Sequence, residues 1–268
     1  MSAEPWAQRV HSDGFVVLSD ETFKVSESTV DLVRTQVLHL YEAFLTEAST
    51  QRLDLTRREH AERLPGFYVR EGGRIDMQLS TVAFQTRPRK GAHGSRASVD
   101  MNVLQEMATR WQSVVTAIFA PHAYQLEYIG CVVSRPGDGD QNWHLDGVHR
   151  NNQRQEPVDR LNVFVPLTTI TKQTGGTEMK LTSHVHDHGA RGTAFEGYKD
   201  LPSVTACIEA GTPLIMDYRV WHRGVANTSV NVVRPLLYFK YAKRPVRILA
   251  NAPASSEKKR KRITPVVV

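Results

Sequence analysis

The chain has 268 residues, 40% of them hydrophobic and 23% charged, the mixture of a soluble globular protein built on one large domain, and this excludes disorder over most of its length. No apolar run approaches the roughly 20 residues of a transmembrane helix, and the N-terminal MSAEPWAQRV lacks the apolar stretch of a secretory signal. The net charge is +6, but Lys258, Lys259, Arg260, Lys261 and Arg262, offset by Glu257, carry four of those charges; the +2 left over is not the footprint of a nucleic-acid-binding face.

In chain order, Gly14–Ser19 (GFVVLS) is a short apolar strand candidate. A helix is expected from about Ser28, where Val30, Val33, Val37, Leu40 and Phe44 recur at three- and four-residue steps, and Ser28 with Asp31 resembles an N-terminal capping pair. Phe67–Arg70 and Ile75–Leu79 read as short strands. Gly73–Leu79 alternates polar and apolar, as an edge strand does, or a pocket wall. Thr86–Ser95 reads as a loop, with Arg87, Arg89 and Lys90 solvated on it. A second helix is expected over Ser98–Phe119, with Leu104, Met107, Ala108, Trp111, Val115 and Ile118 as its apolar stripe and Pro121 past its end.

Beyond residue 122 the segments become short, β-branched and separated by turn residues. Gln125–Ser134, Leu161–Leu167, Thr177–Leu181, Val204–Ile208, Pro213–Asp217 and Pro235–Tyr241 read as strands. Many short strands at this spacing imply a mainly β core, a sandwich or barrel, with helices packed outside. The expected organisation is a single domain over 1–250, with an N-terminal part to 121, a β core over 122–245, and a basic tail over 251–268 without structure. Cys131 and Cys207 are too few for a disulfide framework and read as structural thiols in apolar strands. The expected compartment is intracellular and cytoplasmic, with nuclear import through Lys258–Arg262 as the alternative.

The segment Gln141–Gly147 (QNWHLDG) follows a turn-rich loop. His144 and Asp146 are two residues apart, so in an extended chain both point to one side and can converge on a cation. A third ligand from a distant strand, His222 in Trp221-His222-Arg223-Gly224, would complete two histidines and a carboxylate, a facial set that suits non-haem Fe(II). The set contains no thiolate, which fits iron better than structural zinc. Arg234 lies twelve residues after His222. If their strands are antiparallel neighbours, its guanidinium faces the same cavity and can take a carboxylate bidentately.

These segments together resemble the phytanoyl-CoA dioxygenase-like family of Fe(II)/2-oxoglutarate oxygenases. The likeness is carried, in order, by Asp13–Leu18, Gln141–Gly147, Leu161–Leu167, Gly175-Gly176-Thr177-Glu178, Ser183-His184, and His222–Ser229 with Arg234-Pro235. It implies a double-stranded β-helix of the jelly-roll or cupin-like kind. It implies His144, Asp146 and His222 as iron ligands, and Arg234 as partner of the distal 2-oxoglutarate carboxylate. Fungal members place a glutamine and a threonine where this chain has Gln141 and Thr177, which implies that both bond the co-substrate. The family's arginine more commonly stands eleven residues after the histidine, so Val230–Val233 looks one residue longer, for a bulge or longer hairpin to absorb. Halogenating relatives lack the carboxylate present here as Asp146, so hydroxylation or another two-electron oxidation is implied, with release of succinate and CO2. Besides 2-oxoglutarate the expected partners are a small organic substrate and dioxygen, with neither membrane nor nucleic acid.

The rivals are a metal-dependent isomerase or hydrolase on the same fold, an oxygenase that modifies protein or nucleic acid, and a non-catalytic module with a relic site. Several residues carry plainer readings. His149 falls outside the His-x-Asp geometry, His184, His186 and His188 read as a solvated loop after a strand, and Trp143 and Trp221 read as packing for the ligand loops.

Overall fold

The computed structural model describes residues 2–61, 63–81, 98–148, 155–185 and 197–244. The basic tail, the Arg87, Arg89 and Lys90 loop, His149, His186 and His188 lie outside the described residues.

The chain opens with a helix that the sequence reading did not anticipate, α1 (Glu4–Asp13). Pro5 stands in its first turn and Ala7 and Val10 are buried. It leads directly into β1 (Phe15–Val17). The long helix α2 (Glu27–Thr50) buries Val30, Val33, Val37, Tyr41, Phe44 and Ala48 on one face, with Leu40 at its margin. Its cap is Ser26, not Ser28: the Ser26 hydroxyl accepts the Thr29 N–H at 3.3 Å, and Ser28 already lies inside the first turn. A short α3 (Arg58–Ala61) precedes the hairpin of β2 (Phe67–Val69) and β3 (Ile75–Thr81).

The single helix expected over 98–119 is two. The helix α4 (Met101–Ala108) is capped by Asp100, and α5 (Gln112–Phe119) follows a 3-10 turn over Thr109–Trp111. The Thr109 hydroxyl donates to the Glu106 carbonyl at 2.7 Å at the break, and the tighter turn sets Trp111 fully inside the core.

The remaining strands are β4 (Tyr124–Ser134), β5 (Arg160–Pro166), β6 (Thr177–Lys180), β7 (Ser203–Thr205), β8 (Leu214–Asp217), β9 (His222–Gly224) and β10 (Arg234–Lys243). They form an antiparallel seven-stranded sheet of order β1-β8-β5-β10-β4-β3-β2 and a three-stranded sheet of order β7-β6-β9. A one-residue bridge between His144 and His222 adds the metal-motif segment to the edge of the smaller sheet. The architecture is the expected double-stranded β-helix. The strand expected over Val204–Ile208 ends at Thr205, so Cys207 is exposed outside it, whereas Cys131 is buried in β4 as expected.

Alternation along the strands sorts side chains between two interiors. On β10, Leu237, Phe239 and Tyr241 point out beneath the helices, in one core with Val33, Val37, Phe44, Trp111 and Val115. Leu236 and Tyr238 on the same strand line the cavity on the inner face. On β5, Leu161, Val163 and Val165 join the helix-side core while Asn162 and Phe164 line that cavity. A smaller cluster of Phe15, Met179, Leu214, Met216 and Val220 packs beside the inner sheet faces.

Trp111 ties the helical layer to the sheet. Its indole N–H donates to the Tyr241 hydroxyl at 3.0 Å and its ring meets Phe239 edge-on at 4.9 Å. Trp111→Ala should lower the unfolding free energy by about 3–5 kcal/mol, read as an earlier urea midpoint at unchanged slope. A midpoint within error of the parent would mean the helical layer contributes little to the cooperative unit.

Candidate metal centre

His144 and His222 face each other across an antiparallel pair of backbone hydrogen bonds. The N–H of each donates to the carbonyl of the other at 3.0 Å, so both side chains emerge on one side of the sheet edge. Their ring centroids are 4.3 Å apart. His144 Nδ1 lies 2.8 Å from the Asn142 carbonyl and His222 Nδ1 lies 2.9 Å from the Val220 carbonyl. A carbonyl can only accept, so each Nδ1 carries the proton and each Nε2 keeps its lone pair for a cation. Asp146 brings an oxygen to 3.8 Å from His222 Nε2, and the ligand atoms of all three residues lie within 4.8 Å of one another.

The carboxylate is oriented by a residue that the sequence reading missed. Asn162 on β5 is buried, and its amide N–H donates to Asp146 Oδ2 at 2.8 Å. The signal was a lone polar residue in the apolar run Leu161–Leu167. Asn162→Ala should weaken metal binding by about 10–100-fold while leaving the fold intact, measurable by titration with Fe(II) under anaerobic conditions. Unchanged affinity would remove Asn162 from the centre's support.

Burial pushes His222 below the ordinary imidazole range; the Asp146 charge opposes this and His144 adds to it. Burial also pushes down His184, which the sequence reading placed in a solvated loop. His184 is instead 2% exposed, with Nε2 at 3.0 Å from the His11 carbonyl. Both imidazoles take up a proton less readily in the folded chain than in the unfolded one. Their contribution to stability is therefore complete above the unfolded value of about 6.5 and is lost as pH falls through the lower folded values. The metal-free chain should show a lower urea midpoint at about pH 5.5 than at about pH 7.5, with a smaller drop in His184→Gln. An equal drop in the variant would assign the loss to other groups.

Gln141, Thr177 and Arg234 line the same cavity of about 320 Å³ as His144, Asp146 and His222. They reach it from three directions. Gln141 precedes the bridge, Thr177 opens β6, and Arg234 opens β10 in the other sheet. The strands of His222 and Arg234 are not neighbours: β9 and β10 lie in different sheets, and both side chains nonetheless line the one cavity. In the loop joining these strands Val230 is 94% exposed, and Asn227 and Ser229 close the turn on the Val232 carbonyl.

The Gln141 carbonyl oxygen accepts the Gly224 N–H at 2.9 Å, and its amide NH2 has no hydrogen-bond partner among the described residues. Arg234 is 2% exposed, and its Nη1 donates to the Gly175 carbonyl at 2.7 Å. Its Nε is buried without a partner. Burial and the nearby Arg74 push Arg234 down to about 10, still charged at neutral pH.

Arg74 is the second residue that the sequence reading did not single out, although its place in the alternating Gly73–Leu79 segment put it on the polar face. It is 1% exposed and donates to the carbonyls of Gly139 and Val225, each at 2.7 Å, with its Nε also lacking a partner. Gly224 makes this approach possible: a Cβ there would lie 2.6 Å from the Gln141 side-chain oxygen and 3.1 Å from Arg74 Cζ. Two buried guanidiniums with unused N–H groups in one cavity fit a ligand that is itself anionic. Two imidazoles and a carboxylate without thiolate fit a divalent iron.

The tryptophans have different surroundings. Trp221 is buried and stacks on Tyr198 at 3.9 Å, whereas Lys180 Nζ and the Arg223 guanidinium lie over the Trp143 ring at 5.1 and 5.0 Å. Among the described residues no helix is long and apolar enough to cross a membrane.

A family model described as phytanoyl-CoA dioxygenase (PhyH) matches residues 10–235. Among solved structures the chain is similar to AviO1 from Streptomyces viridochromogenes Tue57, at 16% identity and TM-score 0.58, covering 90% of this chain and 96% of that one. It is similar to the non-heme alpha-ketoglutarate-dependent carbocyclase SnoK from nogalamycin biosynthesis, at 15% identity and TM-score 0.61, covering 90% and 86%. It is also similar to the epimerase SnoN in complex with Fe3+, alpha-ketoglutarate and nogalamycin RO, at 16% identity and TM-score 0.56, covering 99% and 95%. Likeness at this level of identity is a likeness of fold.

Proposed function

The chain belongs to the phytanoyl-CoA dioxygenase family of non-haem iron, 2-oxoglutarate-dependent enzymes, and on that premise we propose that it oxidises a small organic molecule, by hydroxylation or a related two-electron oxidation, at the His144, Asp146 and His222 centre. The observation that carries this reading is the convergence, in one cavity, of two histidines with free Nε2 lone pairs, a carboxylate, and two buried arginines with unused N–H groups.

His144, Asp146 and His222 would hold Fe(II). Gln141, Thr177, Arg74 and Arg234 would hold 2-oxoglutarate, with the arginines on its distal carboxylate and the Gln141 amide and Thr177 hydroxyl donating along its length. When bound, this pair supplies the oxidising power: dioxygen is consumed, 2-oxoglutarate becomes succinate and carbon dioxide, and a C–H bond of the substrate is oxidised. The chain's own part is positional. The Asn142 and Val220 carbonyls keep the imidazoles in one tautomer, Asn162 keeps Asp146 turned inward, and Leu145, Phe164 and Leu236 exclude water from the cavity wall. The proteins of like fold include a carbocyclase and an epimerase. The fold alone therefore does not fix which oxidation follows.

The test is oxygen-dependent succinate formation by the purified chain with Fe(II) and 2-oxoglutarate. Slow succinate release is expected without added substrate, absent under argon and absent in His144→Ala. A folded, iron-loaded chain that releases no succinate would favour the isomerase or hydrolase reading, which has no use for Arg234 or Thr177.

A further inference from the structure

The cavity has a second polar wall that the proposed iron and co-substrate contacts leave unused. Arg70, immediately after β2, lines it with a side chain half exposed at the opening. Its Nε and Nη2 both donate to Asp76 Oδ2, at 2.9 and 2.5 Å. Asp76 on β3 is buried, and its other oxygen accepts the Tyr238 hydroxyl at 2.9 Å. Tyr238 in turn lies against Gly130 on β4, where a Cβ would come within 2.3 Å of its hydroxyl. Both oxygens of Asp76 are thus engaged. The group left with donors to offer is Arg70, whose Nη1 has no hydrogen-bond partner among the described residues.

The surroundings narrow what Arg70 would meet. Tyr128, Tyr218, Phe164 and Leu145 line the same cavity and make part of its wall aromatic and apolar. Three arginines, Arg70, Arg74 and Arg234, and two aspartates, Asp76 and Asp146, line it as well. Asp76 already balances Arg70, so what the guanidinium offers a ligand is its unpartnered outer N–H edge at the half-exposed side of the cavity.

We propose that Arg70 is the substrate anchor of this site and that the substrate carries a carboxylate on a flat, largely apolar body, held with its carboxylate on the free edge of the Arg70 guanidinium and its body against Tyr128, Tyr218 and Phe164. This rests on the iron and 2-oxoglutarate reading above and names the substrate class for it. Asp76 and Tyr238 are positioning residues: they fix the Arg70 fork from behind so that only its outer edge turns to the ligand.

The experiment uses the full chain loaded with Fe(II) and saturated with 2-oxoglutarate under anaerobic conditions, titrated with 2-naphthoate and with its neutral isostere 2-naphthamide. Binding is read by calorimetry and by the change in the iron–2-oxoglutarate charge-transfer absorption. The parent chain should bind the carboxylate about 5-fold more tightly than the amide, the ratio expected for a charge pair that solvent still reaches. Because Arg70→Gln alone would strand a buried carboxylate, the informative variant is the double exchange Arg70→Gln with Asp76→Asn, which replaces an ion pair by an amide pair. It should lose the preference, and Arg70→Lys should keep a reduced one. Equal affinity for the two probes, binding of neither, displacement of 2-oxoglutarate by the carboxylate, or an unchanged preference in the double variant would overturn the assignment. A parent chain that shows no charge-transfer band at all would overturn the iron and 2-oxoglutarate reading itself, and the inference with it.

Discussion

Arg234→Met should retain Fe(II) and bind 2-oxoglutarate at least about 30-fold more weakly than the parent chain, because a desolvated guanidinium–carboxylate pair is lost. The parent Arg234 is held by one carbonyl contact, to Gly175, and its Nε is buried without a partner. Arg74 lies near enough to depress it further. Two adjacent buried cations repel each other, and one carboxylate end of a dicarboxylate relieves both at once. Methionine fills the volume and removes the charge, so the variant should fold and load with metal. Calorimetry with 2-oxoglutarate and, separately, with Fe(II) distinguishes the outcomes. Parent-like 2-oxoglutarate affinity in Arg234→Met would place the co-substrate's distal carboxylate elsewhere, on Arg74 or Arg70 in this cavity.

Asp146→Ala is expected to have the larger effect on turnover. Loss of an outer hydrogen bond to a metal ligand costs about 10–100-fold in affinity or activity, and removal of the ligand itself should exceed that. The substitution also takes the acceptor from Asn162, leaving a buried amide whose Oδ1 already lacks a partner. The two histidines remain, held by their own carbonyl contacts, so the variant should bind Fe(II) weakly and form no succinate. The measurement is anaerobic Fe(II) titration followed by succinate assay at saturating metal. Succinate formation at the parent rate in Asp146→Ala would exclude the carboxylate from the centre.

Much of this arrangement was legible before any coordinates. The alternation in Leu161–Leu167 identified a strand with two faces, and the structure puts its apolar face under the helices and Asn162 and Phe164 in the cavity. His144, Asp146, His222 and Arg234 were legible from residue type and spacing, Gln141 and Thr177 only through the family resemblance, and the cavity brings all six together. Pairing was not legible in the same way. Nothing in the sequence states that β9 and β10 belong to different sheets, because strand order in a β-helix is set by contacts between distant segments rather than by local pattern.

The contribution of the first half of the chain was only partly legible: a pocket wall was one of two readings of Gly73–Leu79, and Arg74 and Asp76 of that segment line the cavity. Arg70, Arg74 and Asp76 reach the cavity from one hairpin, and Glu71 in the same turn pins the metal-motif segment by accepting the Asn142 N–H at 2.9 Å. Alternation placed Arg74 and Asp76 on a polar face, but whether that face meets water or a cavity depends on what packs over it. The break at Thr109–Trp111 was hidden for a related reason. A continuous apolar stripe fits one helix as well as two, and only the tertiary demand for a buried Trp111 separates them.

The most direct test of the central claim is anaerobic visible absorption of the purified chain with Fe(II), with and without 2-oxoglutarate. The account predicts a metal-to-ligand charge-transfer band that requires both components and is lost in His144→Ala and in Arg234→Ala. A folded chain that binds Fe(II) yet gives no band with 2-oxoglutarate, or a band that survives both substitutions, would contradict it.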